Sequence, residues 1–173
     1  RTSSSTDFCR VIVLVSASAT SNAQVTATAS ASATIVSPIT ITKNADMDFG
    51  NIAVSATNGG TVTLLPNAAG QRTASVGGGV SFPAITGTVS AAEFLVNGQA
   101  NYTYDITLPA SAVIENGLNF MDVQNFTSSV PTGTLDGTGA ETFYVGADLV
   151  VNAAQAAGVY TTSTPFFVAV NYN

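Results

Sequence analysis

From residue 25 onward the chain alternates between apolar and polar side chains at every second position. Val25, Ala27, Ala29, Ala31, Ala33 and Ile35 fall on one side of an extended backbone, and Thr26, Thr28, Ser30, Ser32 and Thr34 on the other. That period of two is the signature of a half-buried strand. The pattern resumes after Pro38 with Ile39 and Ile41 opposite Thr40 and Thr42. A first body strand is therefore expected over Val25 to Thr42, bent or at an edge where Pro38 removes a ladder donor. Further strand-length runs cover Thr61 to Leu65, Val80 to Phe82, Ile85 to Val89, Phe94 to Val96, Tyr102 to Leu108, Phe120 to Phe126, Phe143 to Val151 and Val159 to Tyr172.

Between these runs lie turn signals: Asn58-Gly59-Gly60, Gly77-Gly78-Gly79, Asn97-Gly98, Asn116-Gly117 and Asp136-Gly137. Gly and Asn accept the positive φ angles that tight turns demand. Only Asn152 to Gly158 tolerates a helical turn, and it reads as a loop between the last two strands. Many short strands, frequent glycine turns and no amphipathic helix indicate an all-β sandwich or barrel. Unequal strand lengths and spacings favour the sandwich. Phe166, Val168, Val170 and Tyr172 alternate with Phe167, Ala169 and Asn171 up to the last residue. This final strand is expected to leave an unpaired edge, the kind of edge that invites pairing with another chain.

Composition narrows the function. Only 8% of the 173 residues are charged and 46% are apolar, too apolar for a disordered chain. Polarity comes from Thr, Ser, Asn and Gly, the surface of many extracellular β proteins and fibres. The net charge is −6, and Arg1, Arg10, Lys43 and Arg72 are scattered. Nucleic acid and anionic membranes both require clustered cations, so neither is an expected partner. No apolar run approaches the ~20 residues of a membrane helix, and no membrane insertion is expected. Cys9 is the single cysteine, so no intrachain disulfide forms.

The chain has no histidine, which removes the commonest general base and metal ligand. Ser-His-Asp and Cys-His sites are therefore impossible, zinc sites are disfavoured with one cysteine besides, and a Ser–Lys pair would have to use Lys43. No enzyme activity, catalytic residue, metal or cofactor is expected. Asp46 and Asp48 share one side of a strand and raise the question of a calcium site; a solvated strand end is the simpler reading, because no calcium loop surrounds them. Asn101-Tyr102-Thr103 and Asn125-Phe126-Thr127 fit a glycosylation sequon, a common match in a chain rich in Thr. Tyr102, Tyr104, Phe166 and Tyr172 suit a sugar-binding face, or more simply core and cross-strand pairs.

The front of the chain is different. Phe8 to Ala19 is a β-branched run fading into small residues, followed by the polar spacer Thr20 to Gln24. Three readings stand: a signal-peptide remnant, with Arg10 ahead of the apolar run and Ser21-Asn22-Ala23 as a small-residue cleavage site; a first strand of its own domain; or a donor strand that plugs into another copy. As a strand it puts Val11, Val13, Val15, Ala17 and Ala19 on one face and Ile12 and Leu14 on the other. Being apolar on both faces suits insertion into a neighbour, where burial contributes on the order of 10 kcal/mol before ordering costs.

Three further stretches carry a family resemblance: Thr34 to Lys43 leading into Ala45-Asp46-Met47-Asp48-Phe49-Gly50-Asn51-Ile52; Leu118 to Phe126 with Met121 and Val123; and Gly158-Val159-Tyr160 followed by Phe167 to Tyr172. Over residues 25–173 the chain resembles a bacterial family of secreted domains of unknown function, one similar to spore coat protein U and to chaperone–usher pilins. The resemblance implies an incomplete immunoglobulin-like, pilin-like β-sandwich completed by a donor strand. It also implies a role in secreted, cell-surface fibres. The first 24 residues match no motif of that family, and their donor role is read from the residues themselves; with it the chain is expected to form a homopolymer growing head-to-tail by donor-strand exchange, with an assembly chaperone or outer-membrane secretion machinery as further partner. The domain plan is then 1–24, donor strand and linker, and 25–173, sandwich. The acceptor groove is expected between the first and last body strands, at Ile35, Ile39, Ile41, Phe166, Val168, Val170 and Tyr172. The alternative is a monomeric secreted adhesin or carbohydrate-binding module.

Overall fold

The computed structural model describes residues 24–173. The proposed donor residues Val11, Ile12, Val13, Leu14, Val15, Ala17 and Ala19, and Cys9, lie outside the described residues. The chain divides into a unit of residues 1–34 and a body of residues 35–173. In the first unit, residues 24–34 are exposed and carry no regular secondary structure. The strand expected over Val25 to Thr42 is therefore shortened at its front: the first strand begins at Thr40. Alternating alanine with Ser and Thr mimics strand periodicity. An alanine methyl nevertheless offers only about 0.8 kcal/mol of burial, little return for ordering a backbone residue at ~1–2 kcal/mol.

The body is all-β, with twelve strands and no helix among the described residues. The strands are β1 (Thr40–Ala45), β2 (Ala53–Val54), β3 (Gly60–Leu64), β4 (Arg72–Ala74), β5 (Val80–Ser81) and β6 (Ala92–Asn97). They continue as β7 (Thr103–Thr107), β8 (Ser111–Asn116), β9 (Asn119–Ser128), β10 (Thr132–Thr134), β11 (Ala140–Val151) and β12 (Ala169–Tyr172). All pairings are antiparallel. The run Ile85 to Val89 is not a strand, and Ile85 is exposed. Of the run Val159 to Tyr172 only the last part is a strand; before it Thr161 makes a single bridge and the rest is irregular.

The largest sheet has seven strands and is organised around β11. One edge of β11 pairs with β6 through Ala140–Val145 and then with β3 through Ala147–Val151. Its other edge pairs with β9. β1 flanks β6, β4 flanks β3, and β8 flanks β9. A second sheet runs β10-β7-β12, and β2 pairs with β5. The strand partner on β11 changes at Gly146, where backbones converge: a Cβ here would sit 2.1 Å from the Leu64 carbonyl oxygen and 2.8 Å from the Pro66 nitrogen. Only a residue without a side chain fits.

Alternation along β11 feeds two clusters of buried side chains. Phe143 and Val145 join Ala92, Phe94, Val96, Tyr104 and Leu135, with Phe94 and Phe143 stacked at 5.5 Å. Ala147, Leu149 and Val151 join Phe49, Val62, Leu64, Val80, Met121 and Val123. On the opposite face, Asp148 accepts hydrogen bonds from the Thr63 hydroxyl at 2.6 Å and the Asn125 amide at 2.9 Å, tying β3, β11 and β9 together. The Tyr104 hydroxyl is fully buried without a hydrogen-bond partner. Burial first, and the Glu141 carboxylate second, push it well above the usual tyrosine range.

The turn into β11 is held by one carboxylate. Asp136 accepts the Thr138 amide at 2.8 Å, the Thr138 hydroxyl at 2.7 Å and the Ala140 amide at 3.0 Å. These donors, the Ala140 amide foremost, hold its pKa below the ordinary carboxylate value. Donors that favour the ionised form stabilise the fold above the unfolded-state pKa of ~3.9 and cease to do so as pH falls through the lower folded value. Thermal melts stepped downward from pH 7 are expected to lose an increment of Tm below about pH 4 that Asp136→Asn lacks. An identical acid profile in wild type and Asp136→Asn would remove this carboxylate from the account.

Candidate functional site: an apolar groove in the body

The charged residues that raised chemical possibilities are engaged locally. Lys43 pairs with Asp46 at 2.5 Å, both side chains being exposed. Asp48 accepts the Gly50 amide at 2.7 Å. Arg72 donates to the carbonyls of Phe49 and Thr86 and lies 4.2 Å above the Phe82 ring. Its pKa is lowered by burial, a fall that Asp48 opposes. Arg72 thus holds the irregular segment after β1 against the sheet. Among the described residues no three His, Cys, Asp or Glu side chains converge on a point that could hold a metal. The four aromatics do not share a face: Tyr104 is buried, Phe166 packs on Phe126 at 5.0 Å, and Tyr102 lies edge-on to Tyr172.

The prominent feature of the body is a cavity of about 1140 Å³. Its walls are core residues of the large sheet: Ala92 and Phe94 of β6, Ala112 and Ile114 of β8, Met121 and Val123 of β9, Leu149 and Val151 of β11. One side is completed by Ile41 and Lys43 of β1 and the segment from Asp46 to Val54. The other side is Gln155–Thr162 and Pro165–Val168. An isolated bridge between Glu115 and Thr161 attaches that second segment to the free edge of β8. Gln155 secures it further, donating to the Phe120 carbonyl and the Tyr160 hydroxyl.

Its size decides what this cavity is. Residual cavities cost about 24 cal/mol per Å³, so a dry void of this volume would cost roughly 27 kcal/mol, beyond the ~5–15 kcal/mol that holds a whole domain together. Such a space is no packing defect. It is a groove partly open to solvent, lined largely by Ile, Met, Phe, Leu and Val, side chains that gain when an apolar body replaces water. Typical small-molecule pockets span ~300–1,000 Å³, and the groove lies just above that range.

Backbone edges flank it. Among the described residues β1 pairs only with β6, and β12 only with β7. Phe166, Phe167 and Val168, just before β12, keep the in–out–in burial of a strand, with Phe167 74% exposed, but carry no ladder partner.

The expected acceptor residues divide. Ile41, Phe166 and Val168 line the groove. Ile39, Val170 and Tyr172 pack instead against the cluster around Phe94 and Phe143. Ile35 is 96% exposed and lines nothing, because the chain before Thr40 is not part of the sheet. Sequence reasoning missed Met47, Phe49, Ile52, Ile114, Met121 and Tyr160 as wall residues. For Met47 and Phe49 a signal was present, since Asp46-Met47-Asp48-Phe49 continues the alternation of Ile39 and Ile41.

A family described as a domain of unknown function, DUF4402, matches residues 39–172. The match covers most of the chain, and the chain belongs to that family. Its span takes in every strand among the described residues and the whole groove. No curated protein and no solved structure matches the chain.

Proposed function

We propose that this DUF4402 chain is a structural subunit of an extracellular fibre, polymerising head-to-tail as residues near 8–19 of one copy fill the groove of the next. The observation that carries the reading is an apolar groove of about 1140 Å³ flanked by strand edges that have no partner among the described residues. A strand entering such a groove gains main-chain hydrogen bonds as well as burial, the economy of β-augmentation. The candidate occupant is in the same chain: Phe8 to Ala19 is apolar on both faces in its middle, as a strand covered from two sides must be. It spans roughly 40 Å when extended, at ~3.3 Å per residue, and Thr20 to Gln24 is the linker. Such a contact is heterologous and does not close on itself, so it builds a filament. The body is then an incomplete immunoglobulin-like, pilin-like sandwich.

The test is removal of residues 1–19, examined by electron microscopy and by native size measurement. Filaments are expected from the intact chain and none from the shortened one. Unchanged filaments from the shortened chain would sink the proposal. A stable 17.4 kDa monomer from the intact chain supports instead a solitary adhesin or sugar-binding module.

A further inference from the structure

We propose that the Tyr172 hydroxyl is the stop that fixes how far, and in which register, the incoming strand of a second copy enters the groove; this rests on the donor-strand reading above. The hydroxyl accepts the Gln99 amide at 2.6 Å and donates to the Ser37 carbonyl at 2.8 Å. The Gln99 side-chain oxygen in turn accepts the Ser37 amide at 3.3 Å. The hydroxyl has room because residue 98 is glycine: a Cβ there would lie 2.2 Å from it. One side chain therefore latches the end of β12, in the small sheet, to the segment that leads into β1, in the large one.

A strand inserted between two others needs ~9.5 Å between its neighbours, twice the usual interstrand spacing. At Ser37 the Tyr172 side chain itself fills the space between the two backbones, and β1 and β12 approach within 8 Å of each other, closer than an inserted strand allows. Past the latch the body opens, and Ile41 and Phe166–Val168 face the groove. The ladder available to a guest thus ends near Ile41. An end point matters for this guest in particular, because Val11, Val13 and Val15 repeat one side chain at every second position and Ile12 and Leu14 are nearly alike, so they do little to fix its position. A slip of one residue turns every side chain to the other face, and only a fixed end prevents it.

The experiment uses the full chain carrying Val13→Asp, which disables its own donor segment, together with a synthetic peptide of residues 8–19 read by amide hydrogen exchange. With Tyr172 in place, the peptide is expected to protect amides of β1 beyond Ile41 and of Phe166–Val168, while Ser37 and Gln99 exchange as slowly as before. A peptide lengthened to residues 8–21 should bind no tighter. In Tyr172→Phe, which keeps the ring and removes both hydrogen bonds, protection should spread to Thr40 and Val170, and the longer peptide should bind several-fold tighter. Gly98→Ala, which displaces the hydroxyl from the other side, should reproduce both changes. Faster exchange at Ser37 and Gln99 on peptide binding with Tyr172 present, or an unchanged footprint in Tyr172→Phe, overturns the stop and leaves the donor-strand reading standing. Failure of the peptide to bind at all overturns both.

Discussion

Val13→Asp is expected to abolish filament growth while leaving the body folded. Val13 is at the centre of the apolar run, at the same alternate positions as Val11 and Val15. Seated in a groove walled largely by Ile, Met, Phe, Leu and Val, a carboxylate there finds one cation among the wall residues, Lys43, and Lys43 is already paired with Asp46. Burying it uncompensated costs at least about 3 kcal/mol, a loss on the order of a hundredfold in subunit affinity. Sedimentation and microscopy report the polymer, and circular dichroism reports the body. Loss of filaments with an unshifted melt is the expected pair. Normal filaments from Val13→Asp would remove this face from the interface. A melt lowered in the monomer itself would assign the segment to its own body as a first strand.

The largest effect on the body is expected from Gly146→Val. The added Cβ meets backbone atoms of Leu64, Leu65 and Pro66 at 2.1–2.9 Å, and backbone cannot rotate aside as a side-chain tip can. Either β3 separates from β11 or β11 shifts along both its neighbours. Overpacking of this kind costs about 3 kcal/mol or more, which lowers the Tm of a body this size by roughly 10 °C. Thermal unfolding of Gly146→Ala and Gly146→Val checks it: alanine already carries the offending atom, so both must be destabilised, valine more. A wild-type melt for Gly146→Ala would refute the steric account.

How much of this was legible in the sequence follows from what each residue buries. Runs with large side chains at alternate positions became strands: β3, β6, β7, β9 and β11 all lie within or across the expected segments. The short strands β2, β4 and β10 were not legible, since two or three residues such as Ala53–Val54 or Arg72–Ala74 carry no measurable period. β8 was missed although Ala112 and Ile114 alternate with Val113, because the polar Ser111, Glu115 and Asn116 dilute the run. The opposite error occurred at Val25 to Ile39, where the period is clean but most of the inward residues are alanines.

The groove was legible at its edges and not in its walls. Ile41, Phe166 and Val168 follow from strand periodicity. Ile52 and Tyr160 lie in irregular segments whose positions depend on side-chain ties, Arg72 to Phe49 and Gln155 to Tyr160. Such ties between distant residues leave no periodic trace. The role of Tyr172 was invisible for the same reason: alternation marks it as an inward strand residue, while its function depends on Gln99 and Ser37.

β11 has a bearing on how the body forms. It is twelve residues long and contributes inward side chains to both buried clusters. Removing it from either cluster withdraws a wall from the other, so the two halves melt in one cooperative transition and not as separate foldons. Its partners β3, β6 and β9 come from widely separated parts of the sequence. Loop-closure entropy must be met before any of those pairings rewards it, which makes folding slow for a chain of this length. Until β11 has paired, the edges of β6 and β9 that it covers in the finished body are open to other chains.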